Sequence, residues 1–178
     1  MKQTAVTPVV LGLLSLGPRS GYDIKTVVDR STRFFWAASY GQIYPELRRL
    51  EEEGLIEGKD APNGGRGRRV FKLTDAGRNA LEAWLLGSTV TIEYRDESLL
   101  RLFFADALPR EQALQLLEGR KRGHEAYLEV LRAIEALPGG RDPDFVDLVL
   151  RWGIEFNEWG AQWCEKHLKR LRNETKAA

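Results

Sequence analysis

Apolar residues crowd the start of the chain. Val9, Val10, Leu11, Leu13, Leu14 and Leu16 follow Thr7-Pro8, a cap residue and a proline suited to the first helical position, and predict a helix apolar almost all round and therefore buried. Gly17-Pro18 ends it. Ser20, with Asp23 three residues on, predicts a second helix over residues 20–30 whose inward face is Ile24, Val27 and Val28. In the stretch "SYGQIYPELRRLEEEGLIE", Ser39 and Gln42 form an S-x-x-Q capping box, with Ala38 and Ile43 as a weak hydrophobic staple. At about 100° per residue, Ile43, Leu47 and Leu50 make the core stripe of this third helix. Gly41, Gln42, Pro45, Arg48 and Arg49 fall on the opposite side, and Gly54 is the expected C-cap.

The period then changes. Leu55–Asp60 and Arg68–Thr74 read as short strands, the second alternating through Val70, Phe71, Lys72 and Leu73; between them "APNGGRGRR" makes a flexible cationic hairpin tip. Thr74 caps a fourth helix over residues 75–86, with Ala76, Ala80, Leu81, Trp84 and Leu85 as its apolar positions. Helical periodicity lapses in "GSTVTIEYRD", so a boundary is expected between a domain over residues 1–88 and one over 89–178. The second is all helix: one from Asp96 or Ser98 to Ala107, one from Pro109 to about Leu137, and one from Asp142-Pro143 to about Arg172. The fold class is mainly α with an α+β wing, an N-terminal winged helix-turn-helix followed by a C-terminal α-helical dimerisation or effector domain.

That order of elements has a mechanism. A helix about 10–12 Å wide fits the major groove of B-form DNA, and a hairpin with arginine at its tip reaches the flanking minor groove or phosphates. An interior proline costs a helix about 3 kcal/mol. Pro45 also crowds the carbonyl of Gly41, and the pair makes sense where the exposed face has work to do: glycine lets the backbone yield and lets a DNA backbone come close. The alternative is that the helix begins only at Pro45, with Gly41 in a loop. Gln42 suits an adenine edge, which its amide can pair bidentately, or else only completes the capping box. Tyr40 and Tyr44 lie beside the core stripe, which favours packing with a hydroxyl directed at a phosphate. Arg48 and Arg49 are phosphate candidates, although Glu51, Glu52 and Glu53 follow closely and pair more naturally with Arg49. Arg66, Arg68 and Arg69 have no acidic neighbour in sequence nearer than Asp60, which favours phosphate or minor-groove binding.

The segments "LGLLSLGPRSGYDI", "SYGQIYPELRRLEEEGLIE", the two-strand wing and "FKLTDAGRNAL" resemble, in order and spacing, the PadR family of bacterial transcriptional regulators. The likeness covers about the first half closely; the helical second half is similar in kind to the subfamily with a longer C-terminal region. It implies a homodimeric repressor in which residues 39–49 enter the major groove, the wing touches the DNA flank and the C-terminal helices pair the subunits. Ser39, Tyr40, Gly41, Gln42, Tyr44 and Pro45 match the family's recognition segment. A palindromic operator would carry half-sites about 34–36 Å apart.

Composition adds limits. The 178 residues, 43% of them hydrophobic, suffice for one domain or two small ones. Lys and Arg number 27 against 26 Asp and Glu, but residues 1–86 hold 13 against 10, a surplus of three positive charges, and residues 87–178 hold 14 against 16, so an anion-seeking surface belongs to the N-terminal half. A lone cysteine, Cys164, excludes an internal disulfide; with no signal-peptide pattern and no 18-residue apolar run, a cytoplasmic protein without a membrane partner is expected. On the last helix Phe145, Val149, Trp152, Phe156, Trp159 and Trp163 recur at coiled-coil spacing; the preceding helix offers Leu117, His124 and Leu131 at one heptad position and Ala113, Arg120, Tyr127 and Ile134 at the other. Two such helices per chain would form a dimer bundle. Its rings either fill the dimer core or leave gaps for a small planar, aromatic or apolar effector, as some PadR relatives are expected to sense.

Catalysis has no constellation to stand on. "NGGRGRR" lacks the phosphate-loop pattern, Cys164 and His167 lack further metal ligands at sensible spacing, and His124 has no paired nucleophile. No enzyme, metal or cofactor is expected. The rival readings are a winged-helix protein–protein adaptor that binds no specific DNA, and a weak enzyme or small-molecule carrier using the aromatic seam alone.

Overall fold

The computed structural model describes residues 4–32, 35–36, 39–60, 68–87, 95–136 and 144–176; the side chains of Tyr40, Asp144 and residues 174–176 are outside that description. The chain divides into two compact units, Met1–Thr91 and Ile92–Ala178. The boundary expected at residues 88 and 89 lies outside the described residues.

The first unit runs α1 (Thr7–Ser15), β1 (Arg19–Ser20), α2 (Gly21–Arg30), α3 (Tyr40–Glu52), β2 (Ile56–Asp60), β3 (Arg69–Leu73) and α4 (Asp75–Leu85). The expected two-stranded wing gains a third strand. β1 pairs antiparallel with β3 through Arg19 with Phe71 and Ser20 with Val70, while β2 pairs with β3 from Ile56 opposite Leu73 to Asp60 opposite Arg69. Two residues are too few to display an alternating pattern, so β1 left no signal in the sequence. The core gathers Val10, Leu11 and Leu14 of α1, Ile24 and Val28 of α2, Ile43, Leu47 and Leu50 of α3, Phe71 and Leu73 of β3, and Leu81 of α4. Each such side chain contributes about 1.5–3 kcal/mol by leaving water. Gly54, at φ +69°, ends α3 in the left-handed conformation expected of its cap.

One local expectation is corrected. Thr7 is not the cap of α1: it lies inside the helix, almost fully buried, and Val6 takes the cap position without a side-chain hydrogen bond. Its hydroxyl is drawn instead into a polar cluster beneath α3. On α4, Leu81 is buried but Trp84 and Leu85 are exposed, because only one side of this helix meets the core.

The second unit contains α5 (Glu97–Phe103), a 3₁₀ turn at Ala105–Ala107 where the helix was expected to continue, α6 (Arg110–Glu135) and α7 (Asp144–Lys176). Asp96 caps α5, accepting from the Leu99 N–H at 3.0 Å. The core between α6 and α7 is Leu114, Leu117, Cys164 and Leu168, with Leu102, Trp163 and Leu171 packed against it.

Gly77, in the first turn of α4, is held against the residue that precedes β2: a Cβ added there would stand 2.0 Å from the Leu55 carbonyl oxygen, a backbone atom that cannot swing aside. Gly77→Ala should therefore destabilise the first unit by about 1–3 kcal/mol, read as a lower urea midpoint, whereas Gly12→Ala, with open space at its Cβ, should not.

Candidate nucleic-acid interface

α3 is continuous through Pro45, beginning at Tyr40. This settles where the helix starts. Its first turn is held by Gln42, whose side-chain oxygen accepts from the Ser39 N–H at 3.0 Å and from Ser39 Oγ at 3.1 Å. Ile43, Leu47 and Leu50 are fully buried; Gly41, Gln42, Tyr44, Pro45 and Arg48 are exposed, as is Ser39 ahead of them. Nothing inside the fold requires glycine at position 41, where a Cβ would meet only Ser39 Oγ at 3.8 Å. Tyr44 packs its ring on the start of α2, so closely that a Cβ on Gly21 would fall 2.8 Å from it. The Tyr40 side chain lies outside the described residues.

Arg49 does not belong to the outer face. Its guanidinium turns inward to Glu46 Oε1 at 2.6 Å and Oε2 at 3.1 Å, donates to the Thr7 hydroxyl at 3.0 Å, and pairs with Glu53. Glu46 is only 5% exposed and accepts from Thr7 Oγ1 at 2.5 Å. Burial pushes the Glu46 carboxyl up, but the hydrogen bonds from Arg49 and Thr7 and the Arg49 charge outweigh it and hold the group below its usual value. The hydrogen bonds of Glu46, with those of Glu53 and against partial burial, raise Arg49 in turn. The sequence reading missed Glu46. Its signal was available, because positions 43, 46, 47 and 50 complete the i, i+3, i+4, i+7 stripe of a buried helix face. With Arg49 engaged, Arg48 is the outer cation of α3 and makes no ion pair among the described residues.

The wing arginines have the acidic neighbours that the linear sequence hid. Arg68 donates to Asp23 Oδ2 at 3.1 Å. The hydroxyl and N–H of Ser20, with Arg68 assisting and burial opposing, hold the Asp23 carboxyl below its ordinary value. Arg69 grips Glu51 with two bonds of 2.8 and 3.0 Å, donates to the Gly58 carbonyl at 3.1 Å, and lies 5.5 Å from the centre of the Phe71 ring. Glu51 also accepts from the Gly58 N–H at 3.0 Å, so one carboxylate joins α3, β2 and β3. Arg66 lies outside the described residues. Arg68 spends one donor on its pair and is 53% exposed, leaving donors for another anion.

In the second unit, α7 carries two stripes. Ile154, Cys164 and Leu168 are buried within the unit, and burial pushes the Cys164 thiol up. The aromatic stripe faces outward: Phe145 is 77% and Trp152 72% exposed, Val149, Phe156 and Trp159 are also exposed, and Trp163 is half-buried. The Trp152 and Phe156 rings stack at 6.3 Å between centroids and 18° between planes, and Phe156 and Trp159 lie 6.3 Å apart. On α6, Leu117 and Leu131 are buried and Tyr127 is exposed. Arg120 leaves the heptad pattern, donating to Asp96 at 2.7 Å and to Ser98 at the start of α5. His124 lies 3.0 Å from Asn157 Oδ1 and so close over Gly160 that a Cβ there would meet its ring at 2.6 Å. Among the described residues no group of three His, Cys, Asp or Glu is placed to hold a metal, and no helix is long and apolar enough to cross a membrane.

Comparison with known proteins adds three findings. The model of the transcriptional regulator PadR-like family matches residues 10–83, and that of the virulence activator alpha C-term matches residues 94–172. The chain is 32% identical over 169 residues to the negative transcriptional regulator PadR of Bacillus subtilis (strain 168), covering 89% of this chain and 93% of that protein. Among solved structures it is similar to Bacillus subtilis PadR in complex with operator DNA, at a TM-score of 0.83 and 31% identity over 94% of this chain and 99% of that one. It is also similar to Bacillus subtilis PadR in complex with p-coumaric acid, at a TM-score of 0.77 and 30% identity over 95% and 99% of the two chains.

Because Glu46 has a depressed folded-state pKa, it adds stability above its ordinary value of 4.5 and loses that contribution as pH falls through the folded value. Glu46→Gln should cost about 1–3 kcal/mol near pH 7, with the deficit shrinking as pH falls below the ordinary value of 4.5, in urea unfolding followed by tryptophan fluorescence.

Proposed function

Because the chain belongs to the PadR-like family of transcriptional regulators, we propose that it binds operator DNA in the cytoplasm as a homodimer and represses transcription until a small planar effector is bound. The observation that carries this reading is the outer face of α3. Ser39, Gly41, Gln42, Tyr44, Pro45 and Arg48 are exposed together on a helix whose other side is locked into the core. Tyr40 belongs to the same segment. Such a face fits the major groove, and the wing with Arg66, Arg68 and Arg69 then follows the flanking backbone. The family is one of regulators, not of enzymes.

Dimerisation rests on the outward stripe of α7. Phe145, Val149, Trp152, Phe156, Trp159 and the flank of Trp163, with Tyr127 of α6, form an apolar surface of the kind that a second copy covers. Aromatic rings make strong anchors at interfaces. The same stacked rings offer an edge for a flat aromatic guest, and the complex of the Bacillus subtilis relative with p-coumaric acid supports a phenolic or similar effector. The rival adaptor reading draws on the carboxylates already paired with Arg68 and Arg69. Salt dependence separates the two.

Replacing Arg66, Arg68 and Arg69 together by Ala should weaken binding to every DNA sequence and flatten the slope of log affinity against log salt by up to about 0.9 per lost phosphate contact. An unchanged slope removes the wing from the interface. Trp152→Ala with Trp159→Ala should raise the dimer dissociation constant, each truncation costing about 2 kcal/mol or more; sedimentation showing an undisturbed dimer would exclude this stripe as its core.

A further inference from the structure

Gln42 occupies the third position of α3, on the exposed face. Its oxygen is already engaged, accepting from both the N–H and the hydroxyl of Ser39. A backbone N–H can only donate, so the amide end that meets it must be Oε1, and the amide cannot be flipped without losing the bond. The two N–H donors on Nε2 therefore lie on the other side of the group, where they have no partner among the described residues. The capping role and the reading role fall on different atoms of one side chain.

We propose that Gln42 reads DNA as a donor only: Oε1 stays on the helix cap while Nε2 donates to an acceptor on a base edge, guanine N7 or O6 or thymine O4. This rests on the DNA-binding reading given above and sharpens it to a base preference. Cytosine offers only a donor and no acceptor, and at adenine the N6 amino group beside N7 repels the second N–H of the amide, whereas guanine presents N7 and O6 side by side and thymine presents O4. The bidentate pairing of glutamine with adenine needs Oε1 to accept from N6. It would pull Oε1 off Ser39 and reopen an unsatisfied N–H at the helix start, a loss worth roughly fivefold in affinity. Gly41 and Pro45 beside it carry no donor side chain.

Two substitutions separate the atoms. Gln42→Glu keeps an oxygen for the Ser39 N–H, since glutamate completes the same capping box, but presents no donor. Gln42→Lys presents a donor and no cap acceptor. The three proteins are taken through selection on a randomised duplex library, and affinities for the enriched duplexes and their single-base variants are measured at one salt concentration. Wild type and Gln42→Lys should share a preference for guanine or thymine at one position of each half-site. Gln42→Glu should lose that preference by about tenfold, with preferences elsewhere in the site unchanged. The added negative charge of Gln42→Glu lowers affinity for all sequences alike, so the ratio between sequences is the readout. Retention of the wild-type preference by Gln42→Glu overturns the proposal and leaves Gln42 as a cap alone. Adenine at that position, with binding lost when its N6 amino group is removed, overturns it in favour of the bidentate pairing. A wild-type protein that enriches no sequence sinks the DNA-binding reading, and this inference with it; that failure is recognisable because no position then shows a preference in any of the three proteins.

Discussion

A buried carboxylate sets the geometry of the recognition helix. Glu46 sits on the core side of α3, and a charge at that depth is tolerated only when strongly hydrogen-bonded, which Arg49 and the Thr7 hydroxyl accomplish together. The link ties α1 to α3 across a sequence distance that no local rule spans. It also holds, together with the buried Ile43, Leu47 and Leu50, the phase of the helix about its own axis. With Glu46 facing inward, Arg49 must follow it, and the turn that carries Gly41, Gln42, Pro45 and Arg48 is left facing out. The outer residues of α3 are thus aimed by residues on its inner side.

The wing is held by the same economy. Asp23 caps α2 and receives Arg68, while Glu51 joins the end of α3 to the strands through Arg69 and the Gly58 N–H. Both carboxylates have a structural task and neutralise a cation at once. Exposed pairs of this kind contribute little stability singly, but the two-bonded grip on Glu51 adds orientation. A phosphate approaching the wing meets arginines that are already positioned and partly balanced. Any gain on binding is then an exchange of one anion for another rather than the capture of a free charge, which suits a protein whose N-terminal half carries only a small positive surplus.

α7 shows how one helix serves two surfaces. Its Ile154, Cys164 and Leu168 stripe is buried in the folding of the unit, and its aromatic stripe is exposed except at Trp163, which packs against that core. A single heptad pattern in the sequence therefore describes a face that the packing of this unit takes up only at Trp163 and Phe156. Coiled-coil spacing tells that residues share a side of a helix; it does not tell which side the neighbouring helix of the same chain will take.

Elements were legible from the chain wherever the signal was local. The capping boxes at Ser20 and Ser39, the stripe of Ile43, Leu47 and Leu50, the Gly54 cap and the alternation of Val70 to Leu73 each depend on residues within a turn or a strand of one another, and each was found where its spacing placed it. The outer position of Gly41 and Pro45 followed from the same periodicity, and the family from their motif. What the sequence by itself determined was therefore the order of helices and strands and which side of α3 is turned outward. Tertiary structure alone decided that Thr7 leaves its cap for Glu46, that Arg49 is internal while Arg48 is not, and that Asp23 and Glu51 hold the wing. The bonds of Thr7 to Glu46, Arg49 to Thr7, Arg68 to Asp23 and Arg69 to Glu51 join residues from 18 to 45 positions apart, and a charge selects its partner by distance in space, which only the folded chain supplies.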